Sequence, residues 1–111
     1  MSSKVRNLSH REHRDLLAAG GVTLIDYWAE WCQPCHAMTP ILEQVQEDYR
    51  GRVTVAKVDV HEHQEIADEL GISSLPTLIF YRDGVPMNRL SGVKRGPRIS
   101  RELYTLLDSS P

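Results

Sequence analysis

The sequence predicts an α/β fold, a central mixed five-stranded sheet flanked by four helices, and three observations predict it. Helical-period stretches alternate with short apolar runs along the chain. One run, residues 22–28, is nearly continuous in apolar residues, as a strand buried on both faces must be, and another, residues 53–60, is rich in β-branched residues. Asp83-Gly84 between residues 78–81 and 87–90 is a strong two-residue hairpin signal. The order is therefore β-α-β-α-β-α-β-β-α: parallel strands joined by helices, an antiparallel hairpin, and a closing helix.

Each element has its own local reason. A weak strand is expected over residues 5–8. Ser9-x-x-Glu12 is a capping box for a helix reaching about residue 18, and Gly20-Gly21 ends it. The strand at 22–28 is interrupted only by Thr23 and Asp26. The next helix is expected from about Cys32 to about Tyr49, with Met38, Ile41, Leu42, Val45 and Tyr49 at helical spacing. Pro34 suits its first turn, whereas Pro40 removes an interior hydrogen bond and should kink it. Asp59-x-x-Glu62 can cap a third helix that buries Ile66, Ala67 and Leu70 and stops at Gly71. Pro97 opens the last helix, with Ile99, Leu103 and Leu106 or Leu107 on one face.

Composition narrows the function classes. A chain of 111 residues suits one domain, expected to run from residue 1 to 111. It is 41% apolar and 25% charged, ordinary for a globular protein. The net charge of −2, with both signs interspersed, offers no basic stripe for a phosphate backbone, so no nucleic-acid partner is expected. The densest basic stretch, residues 94–101, reads as a solvated helix entry or as a docking patch for an acidic partner. No apolar run approaches the roughly 18 residues that a bilayer requires, so no membrane role is expected. Met1-Ser2-Ser3-Lys4 leads straight into polar sequence, and no signal peptide is expected. Both cysteines lie in one C-x-x-C, which suits a reducing cytoplasm better than a secreted, disulfide-stapled domain.

That motif, Cys32-Gln33-Pro34-Cys35, carries the chemistry. It falls where a parallel strand ends and a helix begins, the end of an open α/β sheet at which sites form. A three-residue helical spacing puts both sulfurs on one face, within disulfide reach. Cys32 sits at the helix N-terminus, where free N–H groups and the dipole favour a thiolate. Cys35 lies a turn deeper and is better kept protonated. Cys32 is thus expected to attack a substrate disulfide and Cys35 to resolve the mixed disulfide. Zinc would need four ligands, and only histidines are left to complete the set. His36 is expected to point off the other side of the helix from Cys35, and His61 and His63 to be solvated residues near a helix start. No metal is therefore expected. A purely structural disulfide would close too short a loop to constrain the unfolded chain much.

The run from Asp26 through Tyr27, Trp28, Ala29, Glu30 and Trp31 to Cys32-Gln33-Pro34-Cys35, with Lys57 in the next strand and Leu75-Pro76-Thr77 later, resembles bacterial thioredoxin. The likeness extends from about Val5 to Leu107, and W-C-x-P-C with a downstream [I/L]-P-T is far more specific than a bare C-x-x-C. It implies the thioredoxin fold and a protein-disulfide reductase that holds no cofactor beyond the redox-active pair Cys32–Cys35. A thioredoxin reductase drawing on NADPH would recharge it, its clients would be disulfide-bearing proteins, and it would act as a monomer.

Residue roles follow position by position. Pro76 matches a cis-proline that packs beside the sulfurs and presents backbone groups to the substrate chain. Asp26 matches a buried carboxylate that helps deprotonate the resolving cysteine. An acid in an apolar strand should independently have a raised pKa. Lys57 matches its partner. Trp31, Pro34, Val60, Ile72, Leu75 and Gly92 would form a shallow apolar docking surface of low sequence selectivity, with Gly92 leaving room for the substrate backbone. Trp28 is expected in the core beneath the active-site helix. The family's attacking thiol has a pKa of about 7, a value that belongs to the family rather than to this chain. Against roughly 8.5 for free cysteine, it lifts the thiolate fraction at pH 7 from about 3% to about 50%. Lost nucleophilicity returns about five-fold of that gain, so orientation must supply most of the rate.

Three departures from the family pattern stand out. Gln33 replaces a glycine between the cysteines, where residues including Pro34 tune redox poise. His36 replaces a lysine or arginine, exchanging a fixed charge for one that titrates near neutrality. It is expected to add pH dependence to Cys32 reactivity between about pH 5.5 and 7.5. Ser91, where the family is aliphatic, is expected to narrow the partner set. Two other functions compete: a disulfide oxidase or isomerase in an oxidising compartment, and a non-redox binding subunit built on the same fold.

Overall fold

Residues 4–108 are described by a computed structural model, and local sequence signals account for most of its elements. The chain runs β1 (Arg6–Asn7), α1 (His10–Ala18), β2 (Val22–Trp28), α2 (Gln33–Ala37), α3 (Thr39–Asp48), β3 (Val53–Asp59), α4 (Gln64–Leu70), β4 (Thr77–Arg82), β5 (Val85–Ser91) and α5 (Gly96–Asp108). The capping box forms: Glu12 N–H donates to Ser9 Oγ at 3.1 Å and Ser9 N–H to Glu12 Oε1 at 2.9 Å. Gly71 closes α4 in the left-handed conformation, φ 65°. Asp83 and Gly84 both take positive φ, 51° and 80°, as the tightest hairpin turns require.

The sheet order is β1-β3-β2-β4-β5, with β1 and β2 parallel to β3, and β4 antiparallel to both β2 and β5. Alternation along β2 sends Leu24 to one face and Ile25 to the other, and each face builds its own core. Leu24 joins Leu42, Phe80, Ile99 and Leu103 beneath α3 and α5. Ile25 joins Val58, Ile66 and Ile79 beneath α1 and α4. The same period of two places Asp26 on the Leu24 face, level with Lys57 in the register of the parallel pair. The sheet margins are short or irregular. β1 is two residues long, and β5 carries Pro86 beside a register shift between Phe80 and Tyr81.

Two expectations are corrected. The single kinked helix over residues 32–49 is broken into α2 and α3 at Met38, making one of the four helices a two-segment element. Pro40 has no N–H to give to His36 and its ring crowds that carbonyl, so the ladder stops and restarts, with Leu42 N–H bonding Met38 O at 2.9 Å. Asp59 does not cap α4. Its Oδ1 accepts from His61 N–H at 2.9 Å and Glu62 N–H at 3.3 Å, holding the preceding turn, while α4 starts later without a side-chain cap.

Candidate active site

Cys32 stands at the end of the loop after β2, as the N-cap of α2, and Cys35 is in the first turn. The two are joined in a disulfide with their Cα atoms 5.3 Å apart. Because α2 is only five residues long, the favourable field at Cys32 is local: the Cys35 N–H donates to Cys32 Sγ at 3.3 Å. An amide aimed at a sulfur stabilises negative charge there when the bond opens. Fractional exposure scarcely separates the cysteines, at 6% for Cys32 and 3% for Cys35. Both pack against Trp28 and Ala29, but each faces a different space.

Cys32 faces a groove of about 650 Å³ whose apolar walls are Trp31, Pro34, Val60, Ile72 and Leu75. Trp31 is 68% exposed, an unusual placement for so large an apolar ring. Cys35 faces a different cavity, about 470 Å³, shared with Asp26, Trp28, His36 and Lys57. Asp26 is 2% exposed and its Oδ1 has no hydrogen-bond partner. Burial pushes its pKa up to about 7, with the positive charge of Lys57 pulling partly back. The ammonium does not close an ion pair with the carboxylate; it rests 4.8 Å from the centre of the Trp28 ring. That ring is fixed in turn by its Nε1–H, which donates to Asn7 Oδ1 at 2.9 Å.

Most expected site residues are therefore brought together, in two sets rather than one. The Leu75–Pro76 peptide is cis as the resemblance implied. Pro76 and Gly92, however, do not line the groove. Pro76 is buried, and its carbonyl accepts the Gly92 N–H at 2.8 Å. His36 is also corrected. Its Nε2 bonds the Glu30 carbonyl at 2.7 Å and its ring stands edge-on to Trp28, folding it back over the Cys35 cavity instead of away from it. Trp28 is buried against Cys32 and Cys35, as expected.

Sequence reasoning missed Asn7, whose amide holds Trp28, and the polar wall of the groove formed by Gln64, Asp68, Ser73 and Ser74. Spacing on α4 could have shown the second, since Gln64 and Asp68 are four apart on one helix face. Also missed was a buried chain from His13 Nε2 to the Tyr27 hydroxyl at 2.8 Å and on to the Tyr81 hydroxyl at 2.7 Å. Burial holds the His13 pKa below its ordinary value.

Among the described residues no group of three or more His, Cys, Asp or Glu is placed to hold a metal ion. No described helix is long and apolar enough to cross a membrane.

A family model described as Thioredoxin matches residues 4–105. The chain is similar to the thioredoxin of Pseudomonas aeruginosa, 34% identical over 111 residues and covering 99% of each. It is similar to the bifunctional thioredoxin reductase/thioredoxin of Mycobacterium leprae, 38% identical over 89 residues, 80% of this chain and 19% of that protein. Among solved structures, a mutant thioredoxin from Halobacterium salinarum NRC-1 superposes with a TM-score of 0.85 at 26% identity, covering 100% of this chain and 99% of that one.

Proposed function

The chain belongs to the thioredoxin family and is a thiol–disulfide oxidoreductase acting through Cys32 and Cys35, and from that premise we propose how its residues divide the work. In the reduced protein the Cys32 thiolate, supported by the Cys35 N–H, attacks one sulfur of a client disulfide lying in the groove. A Cys32–client disulfide forms and the other client sulfur leaves as a thiolate. Cys35 then gives its proton to Asp26 and attacks Cys32 Sγ. The Cys32–Cys35 bond forms, the second client thiolate leaves, and two electrons have passed from the dithiol to the client. Trp31, Pro34, Val60, Ile72 and Leu75 hold the client, while Pro76 and Gly92 brace the floor behind Leu75. Lys57 limits how far the Asp26 pKa rises, and Gln33, Pro34 and His36 tune the redox poise.

The observation that carries this division is the pair of separate spaces on the two sides of one disulfide. A carboxylate with a pKa of about 7 stands on the Cys35 side and not on the Cys32 side. Such an acid is half-ionised at neutral pH and both takes and returns a proton readily.

Recharging falls to an NADPH-dependent thioredoxin reductase. The fusion of a reductase to a thioredoxin in the Mycobacterium leprae relative supports that partnership. We further propose that the protein acts as a monomer in the cytoplasm, holding no bound cofactor, within a single domain. That both cysteines of the chain lie in the active motif supports the reducing compartment. The test supplies insulin, NADPH and a bacterial thioredoxin reductase and follows NADPH consumption. Oxidation of NADPH that requires both this protein and insulin is expected. Its absence with correctly folded protein overturns the proposal.

A further inference from the structure

The groove in front of Cys32 is not electrically neutral. Of the residues that line it, Asp68 is the only carboxylate, and no lysine or arginine is among them. Asp68 is exposed on α4, and Glu62, Glu65 and Glu69 are exposed on the same stretch of chain. From residue 53 to residue 81 the only lysine or arginine is Lys57, held on Trp28 on the Cys35 side. The nearest other cation to α4, Arg89, is turned to its C-terminal carbonyls, with Nη2 donating to Leu70 O at 2.6 Å. The opposite wall, Trp31, Gln33 and Pro34, contributes no charge.

An apolar trough with a single acidic wall attracts a chain that carries a positive charge beside its apolar residues. The acids along α4 add a field that acts before contact and falls away within a Debye length. We propose that this groove selects client segments bearing a lysine or arginine next to the reactive disulfide, and that Asp68 is the specificity-determining residue. The inference rests on the groove being the client site. It gives this protein a preference where apolar contacts alone would give almost none. An exposed charge pair at a rim changes association rate and salt dependence more than it changes residence time.

Three disulfide-bonded reporter peptides, differing only in a Lys, Ser or Glu beside the cysteine, test it. Their second-order reduction rates by the dithiol protein are measured at pH 8 and low salt. The Lys peptide should react fastest and the Glu peptide slowest, with steps of about two- to five-fold, the range of an exposed charge pair. Asp68→Asn should shrink the Lys-to-Glu ratio and Asp68→Lys should invert it, while 1 M salt should bring the wild-type ratio close to one. Asp108→Lys makes the same charge change at the end of α5, beside the Leu106 carbonyl bonded by Arg82 at the far end of β4. It should leave the ratio unchanged. A ratio unmoved by Asp68→Lys, or moved equally by Asp108→Lys, overturns the inference while client reduction stands. No reduction of the Ser peptide by wild type overturns the client site itself.

Discussion

In front of Cys32, Trp31, Pro34, Ile72 and Leu75 form apolar walls with little or no hydrogen bonding to satisfy, facing a polar side that includes Gln64 and Asp68. Behind Cys35 they include a carboxylate, an ammonium, an imidazole and the Asn7 amide. In the proposed mechanism the first region is covered and uncovered by passing chains, and the second moves a proton without a client entering. A bond whose Cα atoms are 5.3 Å apart divides them. Nearly equal burial of two cysteines is therefore compatible with opposite roles, because reactivity follows what each sulfur faces.

The largest effect should come from cutting the two regions apart. Cys35→Ser leaves the groove side intact and removes the resolving thiol. Turnover in the insulin assay should fall by at least about 10³-fold while clients accumulate, covalently linked through Cys32 and visible by mass spectrometry. Cys32→Ser should lose turnover equally and trap nothing. Equal trapping by both variants would erase the distinction between the sides.

Asp26→Ala removes only the cavity side. Resolution of a preformed Cys32–client disulfide should slow by about 10²-fold at pH 7, the lower range of general-base contributions, with the initial attack little changed. The same variant should be more stable than wild type at high pH. The native carboxyl binds its proton up to about pH 7, whereas the unfolded one releases it near 3.8. Wild-type stability from this group is therefore present below about pH 4 and lost as pH rises through 7. The advantage of Asp26→Ala should grow across that window to a value on the order of 4 kcal/mol. Denaturant titrations at pH 4, 6 and 8 measure it, and a pH-independent difference would contradict the buried titration.

Trp31→Ala works on the groove alone. It should raise KM for a peptide client by about five-fold, the loss of one exposed aromatic contact, and leave the pH dependence of Asp26→Ala unaltered. The smallest effect belongs to His36. Alkylation of Cys32 between about pH 5.5 and 7.5, around the ordinary histidine pKa, should follow a different profile in wild type and His36→Lys. The difference should be within about three-fold, because the imidazole stands on the Cys35 side. Superimposable profiles remove His36 as a tuning residue.

Local signals were legible in the residues themselves, and long-range ones only where the family resemblance carried them. Ser9 and Glu12, Gly71, and Asp83-Gly84 are each read correctly because partner and effect lie within a few residues. Pro40 announces a disturbance, but whether a helix bends or breaks depends on what packs over it, which periodicity does not encode. Asp59 has the right spacing for a cap and uses its oxygen on the turn instead. In the site, Asp26 betrays itself as an acid in an apolar strand. That Cys32 and Cys35 open onto separate spaces depends on α4 and β1 arriving from distant parts of the chain. The chain of His13, Tyr27 and Tyr81 spans 14 and 54 residues, and no one-dimensional pattern links them.

The outer strands have a consequence for a molecule that carries an open apolar trough on its surface. Concentrated protein risks polymerising when unpaired strand borders zip together. Here one border is two residues long, and the other carries Pro86, which has no amide hydrogen to offer, beside a register shift in the ladder. Neither edge is a good template for seeding a growing ladder, so the trough can stay adhesive without making the sheet so.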